Sequence, residues 1–184
     1  MVISVLIYGC ETWAETTTEL RVLETWHNAR RRELCRITMW QVQKHHISDY
    51  ELATRTKILD LRLLVAARRL QWLGRVARMP KQRLPRRLLT AWVRTPRPPG
   101  GQAMTYGRRI LDDLELLQLP LEFPEWAHLA QDVTAWRQAI GTQRCWLLAG
   151  EAEDKRQQRS LARAAAAEAR DPTLEDLTLA ESES

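Results

Sequence analysis

Phenylalanine occurs once and tyrosine three times in 184 residues, against eight tryptophans. β-branched residues are sparse beside Leu, Ala, Arg and Glu, which leaves little material for a sheet and much for helices. Cysteine is scarce as well: Cys10, Cys35 and Cys145 are odd in number and far apart. That excludes a disulfide framework and reads as reduced thiols in an intracellular, nuclear or cytoplasmic chain. Long apolar runs are missing. The opening VISVLI, residues 2–7, is too short for a signal peptide or a membrane span, and no basic region precedes it. An apolar start without a polar lead-in is read as the continuation of something upstream.

Several chemistries lack their residues. There is no nucleophile elbow, no phosphate-cradling glycine loop and no metalloprotease helix, and no Ser, His and Asp fall in a spacing that argues for a triad. Asp112 and Asp113 are adjacent within an amphipathic helical pattern, so they point in different directions and do not form a paired catalytic site. His45, His46 and Cys35 invite a zinc reading, but no second cysteine lies at a short spacing, and four ligands are needed to close a structural site. No metal, cofactor or catalytic residue is therefore expected.

What the chain does have is regional charge. The formal +5 conceals 21 Lys and Arg against 5 acids over residues 21–110, and 7 against 15 over residues 111–184. From Arg68 to Arg87 eight residues are basic (Arg68, Arg69, Arg75, Arg78, Lys81, Arg83, Arg86 and Arg87) and none is acidic. Such a stretch suits a polyanion, with those eight side chains neutralising phosphate. The competing reading is a solvated helix face over buried tryptophans. Trp72 falls on the apolar stripe with Leu61, Leu64, Val65 and Val76, which assigns it to the core.

The helical period organises most of the rest. Thr16 with Glu19 fits a capping box that opens a helix to about Ile37, with Leu20, Leu23, Trp26, Leu34 and Ile37 on its apolar face. The QVQKHHI segment after Trp40 breaks the period, and Ser48 with Glu51 makes a second capping box that opens a short helix to about Thr56. The longest pattern runs from Asp60 to Met79 and stops at Pro80. Pro85 sits in the first turn of a helix carrying Leu88, Leu89 and Trp92. TPRPPGG is a loop. One helix is expected over 106–119, another from Pro124 to Ile140 with Gly141 as its C-cap. Residues 151–170 read as a solvated helix, and the acidic end after Pro172 as disordered.

Five blocks carry a resemblance. Tyr8, Gly9, Glu11 and Trp13 form a Y-G-x-E-x-W pattern. Leu20, Trp26, Arg31, Leu34, Cys35, Arg36, Ile37 and Trp40 follow, and then Arg69, Leu70, Trp72, Leu73, Gly74, Val76, Arg78, Met79 and Pro80. Arg83, Leu84, Pro85 and Arg86 lead to a basic loop at Gly100 and Gly101. Trp126, Leu129, Ala130, Gln131, Asp132, Trp136 and Arg137 close the series. In this order they resemble the region that follows the polymerase domain of non-LTR retrotransposon reverse transcriptases. Arg75 stands where that family commonly has histidine, Val133 where it commonly has arginine, and the loop at 100–109 is looser than the family's.

The resemblance implies a non-catalytic part of an RNA-directed DNA polymerase, without the metal-binding palm aspartates or the endonuclease, helping to hold RNA or DNA. It makes residues 1–14 the remnant of a connection to a polymerase thumb. The fold expected is all-α, an irregular bundle of five to seven helices over residues 15–148, followed by a charged helical or disordered tail at 149–184. A helical protein-interaction module and a relic frame without selected activity are the alternatives the same residues leave open.

Overall fold

The computed structural model describes residues 2–90 and 105–168. The Trp92, TPRPPGG, Gly100 and Gly101 readings and the acidic end after Pro172 lie outside the described residues. The all-α expectation holds: among the described residues there are ten α-helices, one 3-10 turn and no strand. The helices are α1 (Val2–Leu6), α2 (Thr17–Leu34), α3 (Met39–His45), α4 (Asp49–Thr56), α5 (Leu61–Ala77), α6 (Leu84–Thr90), α7 (Tyr106–Leu116), α8 (Phe123–Leu129), α9 (Val133–Ile140) and α10 (Thr142–Glu168), with the 3-10 turn Cys10–Thr12 after α1. No described helix is long and apolar enough to cross a membrane.

The chain divides into two compact units, Met1–Leu148 and Ala149–Ser184, and α10 begins in the first and ends in the second. In the second unit every side chain from Asp154 to Ala166 is exposed, Leu161 included, as its dearth of large apolar residues dictates.

The first unit is built around α5, which packs against α2, α6, α7, α9 and the 3-10 turn. Neighbours on several sides explain why its buried set is broader than one stripe: Leu61, Leu63, Val65, Ala66, Leu70, Leu73, Gly74, Val76 and Ala77 are all inside. Fully burying each leucine or valine contributes about 1.5–3 kcal/mol, so this one helix anchors the core. Cys10 and Ile7 pack on Leu61 and Val65, with Trp13 and Leu23 at the edge.

The helix count exceeds expectation for two local reasons. Thr38 accepts from the Gln41 backbone N–H while the Gln41 side chain accepts from the Thr38 N–H. That reciprocal cap starts α3 across the segment read as a break. The single helix expected from Pro124 to Ile140 is two, because the Asp132 carboxylate accepts from the Thr134 and Ala135 N–H groups and starts α9 afresh. The Thr16–Glu19 box is present in full, whereas at Ser48 only the hydroxyl half forms. On α2 the buried residues are Leu20, His27 and Arg31, while Leu34 is 69% exposed. The apolar face read for α2 therefore points partly to solvent at its C-terminal end.

Candidate nucleic-acid interface

The eight basic residues separate into different environments. Arg69 is an interior residue, 1% exposed. It donates from Nη1 and Nη2 to the two Glu15 carboxylate oxygens, each at 2.9 Å, and from Nη1 to the Trp13 carbonyl at 2.6 Å. Its Nε lies 2.6 Å from Asp113 Oδ2. Arg69 is thus withdrawn from the phosphate-contacting set: a guanidinium gripped by two carboxylates and a carbonyl has no fork left for a ligand.

The same cluster takes in Arg109, also buried, which donates from Nη2 to the Glu15 carbonyl, sits 3.6 Å from Glu15 Oε1 through Nε, and reaches Asp112 at 3.3 Å through Nη1. Glu15, Arg69, Arg109 and Asp113 join the N-terminal segment, α5 and α7. Burial works against ionisation of Glu15, yet the Arg69 fork and the nearby positive charges outweigh it and hold the carboxyl below its usual range. Asp113 goes the other way, its pKa pushed up to about 6 by burial, with Glu15 beside it adding to the rise and Arg69 only partly offsetting it. Asp112 and Asp113 thus each face an arginine of this cluster, Asp113 meeting Arg69 and Asp112 meeting Arg109.

Arg78 is half-buried and donates to the Ala130 carbonyl at 2.6 Å, tying the end of α5 to the end of α8. Arg86 is half-buried with its guanidinium 5.6 Å from the Phe123 ring centroid. Arg68, Arg75, Lys81, Arg83 and Arg87 are exposed, at the outer face of α5, the turn after it and α6. Between Asp60 and Asp112 the chain has no acidic residue, so no carboxylate within that stretch offsets them. Arg68 also lines a cleft of about 440 Å³ shared with Arg137 of α9.

The expectation that Trp72 is core is corrected. It is half-buried and, with Leu73, Val76, Pro85, Leu88, Leu89, Tyr106 and Thr12, lines a cleft of about 320 Å³ between α5, α6 and the start of α7. A second cleft, about 410 Å³, lies against α2 and is lined by Trp26, His27, Arg30, Arg31 and Ile58 among others. His27 is buried there, and neither ring nitrogen has a hydrogen-bond partner among the described residues. Burial, seconded by the Arg31 charge, holds its pKa below the ordinary imidazole value. Arg31 is itself buried, donating to the Ile58 carbonyl at 3.3 Å and to the Asn28 side chain. His45 and His46 are exposed at the end of α3, and among the described residues no three His, Cys, Asp or Glu side chains gather as a metal site would need.

Sequence reading missed this cluster because Glu15 meets Arg69 across 54 positions and Arg109 across 94, and Asp113 comes to Arg69 from another helix, separations that no helical period reports. The one local signal was that Arg109 precedes Asp112 and Asp113 by three and four positions on α7. Neither a protein-family model, a curated protein nor a solved structure matches this chain.

Proposed function

We propose that the chain is a non-catalytic, nucleic-acid-contacting helical module of the kind that follows the polymerase domain in non-LTR retrotransposon reverse transcriptases, working inside the cell, in nucleus or cytoplasm. The observation that carries the reading is the exposure of Arg68, Arg75, Lys81, Arg83 and Arg87 along one stretch of chain that has no acid from Leu61 to Leu111. The resemblance blocks add support by packing on one helix. The Trp13 carbonyl meets Arg69, Gly74 lies against Trp136, Trp136 Nε1 donates to the Leu70 carbonyl at 3.1 Å, and Arg78 meets Ala130. Blocks distant in sequence thus serve a common scaffold that holds the basic corner.

Fluorescence anisotropy with labelled RNA and DNA at several salt concentrations tests the reading. Binding that weakens with salt is expected, and replacing Arg75, Lys81 and Arg83 together by Ala should lower the log–log salt slope by about 0.7–0.9 per lost phosphate contact. No affinity for either polymer at low salt would end the proposal. A protein-interaction module is the second reading, favoured by the exposure of Trp40 (62%) and Met39 on α3 and of Leu34 at the end of α2; under it, salt would leave partner binding largely unchanged.

A further inference from the structure

We infer that the cleft between α5, α6 and the start of α7 is a base pocket, and that the chain therefore prefers single-stranded nucleic acid to duplex. The inference rests on the nucleic-acid reading above and adds the form of its ligand. Three observations meet at this place. The cleft encloses about 320 Å³ and is lined by an indole and a phenol ring, Trp72 and Tyr106, with Leu73, Val76, Pro85 and Leu88 as apolar walls. That volume is at the lower end of small-ligand sites, which run from about 300 to 1,000 Å³.

Exposed positive charge stands on the same stretch of chain as the walls of the cleft. Trp72 lies one turn from Arg68 on one side and Arg75 on the other, at i−4 and i+3 on the surface of α5, and both arginines are exposed. Lys81 and Arg83, in the turn to α6, are exposed as well. Apolar surface also continues outside the cleft, since Leu84 and Leu88 are 62% and 66% exposed.

An apolar slot with aromatic rings, with cations on the same stretch of chain and without a carboxylate of its own, is complementary to an occupant with a flat uncharged face and a polyanionic backbone. An unpaired nucleobase on a phosphate chain has that chemistry, because every base offers a π-face whatever its sequence. A base in a duplex keeps its faces stacked on its neighbours and does not enter.

The test uses the full chain and two labelled RNAs of equal length, a single-stranded uridine-rich 12-mer and a hairpin duplex, with circular dichroism confirming the fold of each variant. Expected are roughly tenfold tighter binding of the single strand and a roughly tenfold loss for that strand alone in Trp72→Ala, with Trp72→Phe retaining most of the affinity. Leu88→Glu alters a side chain two-thirds in solvent and so is not expected to disturb the core; a carboxylate at the mouth should weaken single-strand binding by a similar factor and leave the duplex value nearly unchanged. Equal affinity for the two RNAs, or equal losses for both in Trp72→Ala and Leu88→Glu, would overturn the base pocket while leaving the nucleic-acid reading standing. Absence of binding to either RNA would overturn both.

Discussion

Glu15 and Asp113 share one arginine but hold opposite protonation preferences, which makes the buried cluster testable one side chain at a time. Glu15 has both oxygens on the Arg69 fork, so Glu15→Gln leaves two buried guanidinium groups short of a full counter-charge. A loss of about 3–5 kcal/mol is expected in urea unfolding. Asp113 meets Arg69 through one oxygen, and its folded pKa of about 6 lies above the 3.8 of an ordinary aspartate. A raised carboxyl contributes stability that is full below the unfolded value and lost as pH climbs through the folded one. The wild type should therefore gain on Asp113→Asn as pH falls from about 7 to 4, and that substitution should cost only about 1 kcal/mol at pH 7. Equal pH profiles for wild type and Asp113→Asn would refute it. Gly74 gives a steric counterpart: a Cβ there would stand 2.2 Å from Trp136 Nε1, on a ring that is buried and pinned to the Leu70 carbonyl. Gly74→Ala should destabilise by about 1–3 kcal/mol despite the better helix propensity of alanine. Half of this was legible beforehand. Gly74 and Trp136 belong to blocks singled out from sequence, but Arg69 was read as a surface cation, because its partners come from segments that only the folded chain brings to it.

Among the elements, four helices end in the same way without the residue that usually ends them. Arg36, His46, Lys57 and Gln118 all have φ between 50° and 55°, the left-handed region that favours glycine. Each is followed by an aliphatic residue whose N–H reaches back five positions: Ile37 to Arg32, Ile47 to Val42, Ile58 to Ala53 and Leu119 to Leu114, at 2.8–3.2 Å. These are Schellman closures in which the half-buried aliphatic residue, rather than glycine, marks the stop. Exposed Lys57 is the cleanest place to relieve the backbone cost, and Lys57→Gly should stabilise the chain by about 0.5–1 kcal/mol in thermal or urea unfolding, where a mid-helix lysine-to-glycine change would destabilise. A loss of stability at this position would show that the side chain matters more than the backbone. The closures also explain which boundaries sequence could not supply. Period and proline located α5 and α7 to within a few residues, but α2 was extended to Ile37 because no glycine announced its end. The split of α8 from α9 was hidden because Asp132 reads equally well as a solvated position in one continuous helix.

Over the whole molecule, charge is the property with the longest reach and the one most fully visible in the sequence. The excess of acid after residue 110 is as clear in composition as the basic stretch before it, whereas the clefts were not legible, since each takes its walls from segments far apart in the chain. Exposed charges act on one another over about 10 Å at 0.1 M salt and farther at lower ionic strength, so a flexible polyanion and an acidic segment of the same chain compete for the same cations. Glu175, Asp176, Glu181 and Glu183 lie at the far end of the sequence from the basic corner, and converting all four to amides would raise the formal charge from +5 to +9. If nucleic acid binds through Arg68, Arg75, Lys81, Arg83 and Arg87, this variant should bind RNA severalfold more tightly at about 50 mM salt. The advantage should shrink towards nothing as salt approaches about 1 M, where screening reaches about 3 Å. Unfolding midpoints of the variant and the parent should coincide, because the second unit buries little of its helix. An affinity gain that persisted at high salt would point to a contact made by the new amides instead of relief of repulsion. An unchanged affinity at low salt would show that the acidic end does not attenuate the basic corner at all.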